Sequence, residues 1–242
     1  MSGYGDFAEV YDLLTFNVPY DELADYYAEI LGRFGAGSVL DMGCGTGSLT
    51  VRLAERGFGM TGQDASPEML TIAAAKSSEV MWICQNMEET DLGGTVGAVI
   101  STLDSVNHLE SESAVSACFR RAAECLESGG VFAFDVNTVF KHREILGDNT
   151  FVYDVDGVYC VWQNAFDERD NGVDIELDLF FENGDGSYSR GGESFREVAF
   201  SVGKYRELLH GAGFEVLNVW EYPTFSEATE KSEKLTFLAK KR

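Results

Sequence analysis

The segment VLDMGCGTGSLT, residues 39–50, constrains the fold more than any other part of the sequence. It is an apolar strand that contains Asp41 near its end and passes into glycines at every second position, Gly43, Gly45 and Gly47. Glycine allows left-handed backbone conformations and close approach of the chain to a ligand. A strand, a glycine-rich loop and a helix in this order are typical of folds that bind a ligand beyond the carboxyl ends of parallel strands.

Strand and helix patterns alternate up to about residue 145. The predicted parallel strands are SVLDMG, GMTGQD, EVMWICQ, GAVIST and GGVFAFDV. The predicted helices are YDELADYYAEILGRFG, SLTVRLAERG, ASPEMLTIAAAK and SAVSACFRRAAECLESGG, the last expected to end at its glycines. This alternation predicts an α/β fold with a doubly wound, mostly parallel, Rossmann-like sheet.

The pattern changes to a period of two from about residue 149 to 200, most clearly in VDIELDLFFENGDG. The pairs Asp156-Gly157 and Asn183-Gly184 predict tight turns, so we expect an antiparallel β meander. Helix and strand patterns return in SVGKYRELLHGAGF, EVLNVW and KLTFLAKK, which makes the meander an insertion. The predicted parts are an N-terminal helical lid segment (1–36), the ligand-binding sheet domain (37–148 and 201–242) and an inserted β subdomain (149–200).

The charge balance argues against several classes of partner. The chain has 41 acidic and 18 basic residues, a net charge of -23, which repels polyanions. We therefore expect no nucleic acid partner and no membrane association, and the chain shows neither an export signal nor an apolar run that could span a bilayer. The acidity is densest between residues 151 and 200, with twelve carboxylates and three arginines. That region is either a solvated face or a mouth that attracts a cationic or amine-bearing substrate.

The cysteine pattern indicates a reducing compartment. The five cysteines show no C-x-x-C spacing and mostly lie in apolar runs, so we expect buried thiols in a cytoplasmic protein rather than disulfides or metal ligands. No other cluster suggests a metal, and none is predicted.

The residues around the glycines favour one ligand over another. A dinucleotide site requires G-x-G-x-x-G, but Ser48 stands where the third glycine should be. Asp41 can meet a ligand ammonium rather than a pyrophosphate, which favours S-adenosylmethionine. Asp64 ends the second strand at the position from which a carboxylate can bind ribose hydroxyls. It is not needed to cap the next helix, since Ser66 before Pro67 already provides a cap.

The motifs LDMGCGTG, DASPEML, GAGFEV and the closing LTFLAKK together resemble class I S-adenosylmethionine-dependent methyltransferases over nearly the whole chain. The resemblance implies an enzyme that transfers a methyl group from S-adenosylmethionine to an acceptor by in-line displacement. It also implies a set of cofactor-binding residues: Asp41, Gly43, Cys44, Gly45, Gly47, Asp64, Ala65, Met69, Asn86 and Met87. The family usually has an acidic residue beside the adenine where this chain has Asn86 and Met87.

Within that class, YGDFAEVYDLL, STLDSVNHL and the meander resemble small bacterial methyltransferases of unassigned substrate and sugar amine N,N-dimethyltransferases. The latter resemblance implies that Tyr4 or Tyr11, together with His108, lies at the methyl-transfer centre. His108 is either catalytic or a residue at a helix start. Asp104 is expected to face the cleft or to cap a helix. The other histidines are expected on helices outside the cleft: His142 and His210.

The expected acceptor is a small molecule with an amine or a hydroxyl group. Two alternatives remain open. A non-catalytic S-adenosylmethionine-binding regulator would keep the cofactor residues without needing Asp104 or His108. A methyltransferase acting on a macromolecule would use the same cofactor site, although the missing basic patch argues against a nucleic acid. A monomer or a homodimer is expected.

Overall fold

The computed structural model describes the backbone of residues 4–242 and the side chains from residue 7 onward, so the predicted Tyr4 side chain lies outside the described residues. The main sheet has seven strands: β1 Ser38–Met42, β2 Gly59–Asp64, β3 Met81–Cys84, β4 Val96–Ser101, β5 Leu126–Asn137, β10 Phe214–Glu221 and β11 Lys234–Lys241. Their order is β10-β11-β5-β4-β1-β2-β3. Strand β11 is antiparallel to both neighbours, and the other pairs are parallel. The predicted doubly wound, mostly parallel sheet is confirmed.

Helices cover both faces of this sheet. They are α1 Tyr4–Leu14, α2 Tyr20–Arg33, α3 Ser48–Glu55, α4 Pro67–Lys76, α5 Glu112–Cys125 and α6 Val202–Gly211. In β5, Phe132 and Phe134 pack in one core with α5 and α6, while Val131 and Ala133 pack in the other with α2 and α3. Strands buried on both faces need side chains that are apolar in succession, which explains the continuous apolar runs in the sequence.

Helix α5 ends earlier than its glycines predict. It stops at Cys125, and Leu126 is already extended and fully buried, paired with Val96 of β4. Gly129 takes a left-handed φ of 79° inside the strand. A Cβ on Gly130 would lie 2.9 Å from the carbonyl oxygen of Gly97. Burial of Leu126 therefore ends the helix before it reaches these glycines. The glycines instead allow the turned backbone and the close strand contact at the beginning of β5.

The inserted segment forms a second, antiparallel sheet in the order β6-β7-β8-β9, with β6 Thr150–Val155, β7 Val158–Asp167, β8 Gly172–Glu182 and β9 Tyr188–Val198. Asp156 and Gly157 have φ values of 46° and 81°, as the predicted two-residue turn requires. The second turn is longer than predicted, because Asn183 N donates to Ser187 O and the left-handed residue is Gly186.

Helix α1 joins the second sheet to the glycine loop. Val10 packs into the apolar face of the second sheet beside Ile175 and Leu177. On another side of the helix, Asp12 reaches Thr46 in the glycine loop. Among the helices of residues 4–242, none combines the length and the apolar character that crossing a membrane requires.

Candidate functional site

The three glycines after β1 have left-handed backbones but different surroundings. Their φ values are 77° at Gly43, 54° at Gly45 and 73° at Gly47. A Cβ on Gly47 would lie 2.5 Å from the ring of Trp82, and one on Gly43 would lie 2.7 Å from the Cβ of Ser105. A Cβ on Gly45 would meet no atom within 4 Å. Gly45 therefore lies beside open space, whereas Gly47 is required by its φ and by the packing of Trp82.

Asp41 is buried at the end of β1 and only half satisfied. Its Oδ2 accepts a hydrogen bond from Thr50 Oγ1 at 2.6 Å, while its Oδ1 has no partner among the described residues. Burial, together with Asp64 and Asp135, raises the pKa of Asp41 to about 7 despite the Thr50 hydrogen bond. A buried carboxylate oxygen without a partner is unfavourable until a cation or donor reaches it. Asp41 thus fits the ammonium group of S-adenosylmethionine.

Asp64 ends β2 and faces the glycine loop. Its Oδ2 accepts a hydrogen bond from Gly45 N at 2.8 Å, and its Oδ1 accepts one from Ser66 N at 2.9 Å. Ser66 itself caps α4, since its Oγ accepts from Met69 N, as predicted. A carboxylate can accept about four hydrogen bonds, so Asp64 can still accept from ribose hydroxyls. Its backbone contacts also hold Gly45 in place.

The residues predicted to surround the adenine follow β2 and β3. Ala65 and Asn86 are exposed, Met69 is buried in the first turn of α4, and Met87 is half-buried against the sheet. The Asn86 side chain makes no capping hydrogen bond to the 3₁₀ turn that follows it, which leaves its amide available to a ligand. Burial, and next the charges of Asp41 and Asp64, raises the pKa of Cys44 well above its ordinary value. Cys44 therefore stays a neutral thiol.

A cavity lies above the glycine loop, covered by α1 and the first residue of α2. Its walls include Tyr11, Tyr20, Cys44, Gly45 and Ser105. Burial, with smaller contributions from Tyr20 and nearby carboxylates, raises the pKa of Tyr11 well above its ordinary value. The Tyr11 phenol therefore remains protonated and can donate a hydrogen bond, but it does not act as a base at neutral pH.

A contact that the sequence did not predict holds α1 over this cavity. Asp12 Oδ1 accepts hydrogen bonds from Thr46 Oγ1 at 2.6 Å and from Ser48 Oγ at 3.1 Å, and Asp12 Oδ2 lies 2.5 Å from Lys76 Nζ. Ser48, which breaks the dinucleotide pattern, thus serves to bind the covering helix. The contact joins α1, the glycine loop and α4.

Asp104 is paired inside the protein. Its Oδ1 lies 2.7 Å from Lys234 Nζ, and its Oδ2 accepts a hydrogen bond from Asn137 Nδ2 at 2.8 Å. Burial by itself would raise the pKa of Asp104, but Lys234 and Lys141 hold it below the ordinary range. Asp104 occupies the N-cap position of a short 3₁₀ helix, yet its side chain makes no capping hydrogen bond.

Asp135 supports the loop that follows β4. Leu103 and Asp104 have φ values of 53° and 60°, which is uncommon for residues other than glycine. The Leu103 N–H donates to Asp135 Oδ2 at 2.9 Å, and the Asp104 N–H donates to Asp135 Oδ1 at 2.8 Å. Tyr27 also donates to this buried carboxylate, at 2.8 Å. The carboxylate of Asp135 therefore stabilises a strained loop that leads to the predicted catalytic residues.

His108 ends the 3₁₀ helix Ser105–His108, with 45% of its side chain exposed. Its ring packs against Phe195 at a centroid distance of 5.1 Å, and its Nε2 lies 4.0 Å from Glu197 Oε1. His142, expected on a helix outside the cleft, is fully buried and is not among the residues that line the cavity above the glycine loop. It belongs to a π-helical turn that buries the ring, and its Nε2 lies 3.3 Å from Glu197 Oε2. His210 is exposed on α6, as expected.

Sequence reasoning missed several residues of this site. Asp135 lies near the end of an apolar strand much as Asp41 does, so the same signal could have identified it. Asp12, Glu197 and Lys234 carry no local signal, because their partners lie on distant segments.

Comparisons with known proteins agree with this geometry. Residues 39–130 match the family model of a methyltransferase domain. The chain is 34% identical over 242 residues to YqeM of Bacillus subtilis, a protein assigned to the methyltransferases, covering 98% of this chain and 97% of that one. It is 32% identical over 133 residues, 52% of each chain, to a dTDP-3-amino-3,6-dideoxy-alpha-D-glucopyranose N,N-dimethyltransferase of Streptomyces fradiae.

A solved structure gives the same result at full length. The S-adenosylmethionine-dependent methyltransferase of Clostridium acetobutylicum ATCC 824 superimposes with a TM-score of 0.88 at 28% identity and covers 99% of both chains. This agreement in fold comes with a glycine loop and an unsatisfied Asp41 that fit the cofactor. The chain therefore belongs to the S-adenosylmethionine-dependent methyltransferases.

Proposed function

We propose that this enzyme transfers the methyl group to an amine nitrogen of a small-molecule acceptor. The observation that carries the proposal is the cover over the cavity. Tyr11 and Tyr20 lie above Gly45, and Asp12 accepts a hydrogen bond from Thr46 that holds α1 against the glycine loop. The acceptor would then bind between α1, the loop after β4 and β9. Such a narrow, covered space favours a small molecule over a macromolecular surface.

Different residues of the chain would bind the cofactor, exclude water and accept the proton. When bound, S-adenosylmethionine supplies a methyl group on a good leaving group. Asp41 would hold its ammonium group and Asp64 its ribose hydroxyls, while α1 would exclude water from the reacting atoms. Tyr11 would orient the acceptor, and His108 would accept the proton that the acceptor nitrogen loses.

Charge supports an amine over other acceptors. His108 lies 4.0 Å from the carboxylate of Glu197, and the chain carries a net charge of -23. This field attracts a cationic amine and repels an anion. Relatives with partial similarity are named for amine substrates, the dTDP-amino sugar of the Streptomyces fradiae enzyme and the glycine and sarcosine of a Halorhodospira halochloris enzyme.

The cysteines support a cytoplasmic location. All five are free thiols, and Cys118, Cys125 and Cys160 are buried. Free thiols persist most readily in a reducing compartment.

The test uses S-adenosylmethionine labelled in its methyl group. The enzyme is incubated with glycine, sarcosine, the dTDP-3-amino sugar and the corresponding 3-hydroxy sugar, and with a cell extract separated into small-molecule and macromolecular fractions. We expect label on an amine in the small-molecule fraction and none on the hydroxy sugar. Label confined to macromolecules, or transfer to oxygen, would contradict the proposal. Cofactor binding without any transfer would favour a non-catalytic regulator.

A further inference from the structure

Glu197 belongs to the second sheet, yet its carboxylate faces His108, which ends the 3₁₀ helix after β4 of the main sheet. The Glu197 side chain is 5% exposed. Its Oε2 accepts a hydrogen bond from Asn137 Nδ2 at 2.9 Å and lies 3.3 Å from His142 Nε2. Its Oε1 lies 4.0 Å from His108 Nε2. One oxygen is therefore held by the protein interior, while the other faces His108.

Asn137 fixes the direction of this carboxylate. The Oδ1 of Asn137 accepts a hydrogen bond from Lys141 Nζ at 2.9 Å, so its Nδ2 must point the other way. That Nδ2 donates to both Glu197 and Asp104. The amide cannot turn over without placing its oxygen against two carboxylates, which is strongly unfavourable.

The same oxygen of Glu197 also lies near the buried ring of His142, whose Nε2 has no hydrogen-bond partner among the described residues. Its Nδ1 lies 2.8 Å from the carbonyl oxygen of Asn171, and a carbonyl can only accept, so Nδ1 carries a hydrogen. The ring is fully buried and cannot reorient freely. Its Nε2 is near enough to Glu197 to form an ion pair when the ring is protonated.

We propose that Glu197 is the positioning residue for His108. It keeps the hydrogen of the neutral imidazole on Nε2, which leaves Nδ1 as the nitrogen able to accept a proton. When the acceptor's N–H bond breaks, the proton forms a bond to Nδ1, and the carboxylate stabilises the positive ring. The packing of His108 against Phe195, with the two rings tilted by 43°, limits how far the ring can turn from this position. The role in proton transfer rests on the proposed function, whereas the orientation of the ring does not.

The charged groups nearby come from several elements. Lys234 on β11 and Lys141 on the turn after β5 lower the pKa of Asp104 on the loop after β4, and His108 adds a smaller effect of the same sign. Asp104 is neutralised by Lys234 at 2.7 Å. Because Asp104 is paired with a lysine and Glu197 Oε1 lies 4.0 Å from His108 Nε2, Glu197 is the carboxylate placed to orient the His108 ring.

The decisive measurement is the position of the hydrogen on the neutral His108 ring, read from the nitrogen chemical shifts of protein labelled with ¹⁵N-histidine. A His108→Asn variant identifies the signal among the three histidines. In the unaltered protein we expect hydrogen on Nε2. In Glu197→Gln, the introduced amide must turn its oxygen toward Asn137 Nδ2 and its NH₂ toward His108. His108 Nε2 then accepts, and the hydrogen moves to Nδ1.

The matched control is Glu193→Gln, the same chemical change four residues earlier on the same face of β9. We expect no change of hydrogen position there. A hydrogen that stays on Nε2 in Glu197→Gln, or moves equally in both variants, would overturn the inference. An unchanged rise in melting temperature on adding S-adenosylmethionine shows that each variant is folded.

A comparison without any variant at Glu197 keeps the inference testable if that variant does not fold. The fraction of His108 with hydrogen on Nε2 should be greater in the folded protein than in the same protein unfolded in urea, and equal fractions would overturn the inference. Neither measurement needs an acceptor. Failure of the amine proposal in the transfer assay and failure of this inference are thus separate results.

Discussion

The proposed cofactor side and the proposed acceptor side of the cleft are built in opposite ways. On the cofactor side, the key groups come from the short segment 39–50 and the end of β2, and they are incomplete, since Asp41 Oδ1 has no partner and Gly45 borders open space. On the acceptor side, Asp104, Asn137 and Lys234 come from three different strand ends and satisfy one another. The first side has polar groups that a ligand would satisfy, whereas the groups of the second side already satisfy one another.

This difference separates binding from stability. If the proposed site is right, unsatisfied groups on the cofactor side destabilise the free protein and gain their partners when the ligand binds. The paired charges on the acceptor side stabilise the loop that presents His108, so changing them should damage the fold itself. Variants on the cofactor side should therefore change mainly the affinity for the ligand. Variants of the paired charges on the acceptor side should change mainly the stability of the fold.

The largest expected effect is on stability, for Asp104→Ala. The change leaves Lys234 buried beside Asp135 alone, which lies 3.4 Å away, and should lower the free energy of unfolding by about 3 kcal/mol. Urea unfolding measures this loss. The control is Asp25→Ala, which breaks a surface ion pair with Arg56 and should lose less than about 1 kcal/mol. Equal losses would show that the acceptor-side charges do not support the fold.

Gly45→Val should affect affinity more than stability. It should weaken S-adenosylmethionine binding by more than about 100-fold, because the side chain enters the ligand's space. Calorimetry measures the affinity. Gly35→Val is the matched control, because Gly35 also has a left-handed φ, of 64°, and open surroundings. Both variants should show similar strain in melting temperature, while the control keeps its affinity. Equal affinities would place the ligand elsewhere.

Asp41→Asn should weaken the binding of S-adenosylmethionine but make the ligand-free protein more stable above neutral pH. Affinity for S-adenosylmethionine should fall about 10- to 100-fold through the lost ammonium contact. The pKa of Asp41 is raised to about 7 in the folded protein. The folded state thus binds the proton more tightly than the unfolded chain, and the free protein loses stability as pH rises from about 4 to about 7.

The Asn variant lacks this loss, so it should be the more stable protein at pH 8 in the absence of ligand. Urea unfolding at pH 5 and pH 8 tests this. A variant less stable than the parent at pH 8 would contradict the idea that the charged Asp41 carboxylate destabilises the ligand-free protein.

On the acceptor side, Tyr11→Phe and His108→Ala should each lower kcat by about tenfold or more while cofactor affinity stays within about twofold. Steady-state kinetics with an acceptor found in the labelling assay, together with calorimetry, separates the two quantities. Tyr159→Phe on β7, where the tyrosine is 40% exposed, is the control and should leave both unchanged. Loss of cofactor affinity without loss of kcat would assign these residues to cofactor binding instead of methyl transfer.

The smallest effect is the pH dependence of cofactor affinity. Affinity should rise less than tenfold between pH 6 and pH 7.5 as Asp41, with its pKa of about 7, loses its proton. It should fall again above pH 8, where the ligand's own amino group, with an ordinary pKa of about 8, becomes neutral. Asp41→Asn should abolish the rise on the acid side. A rise that persists in the variant would assign it to another group.

The features that were predictable from the sequence depend on neighbours along the chain. The strand, the glycine loop and the helix of residues 39–50 are adjacent, and so are Ser66 and Pro67 at the start of α4. The alternation in β8 likewise predicts its two faces, because the period of a strand is local. The parallel sheet, the inserted antiparallel sheet and the identity of the cofactor therefore followed from short segments.

The partners of the acceptor side could not be predicted in this way. Lys234 meets Asp104 across 130 positions, and Asn137 meets Glu197 across 60. The end of α5 shows the same limit, because the burial of Leu126 against β4 overrides the glycines that follow. Backbone periods and turns are encoded over a few residues, whereas the pairing of buried charges depends on which segments the completed fold brings into contact.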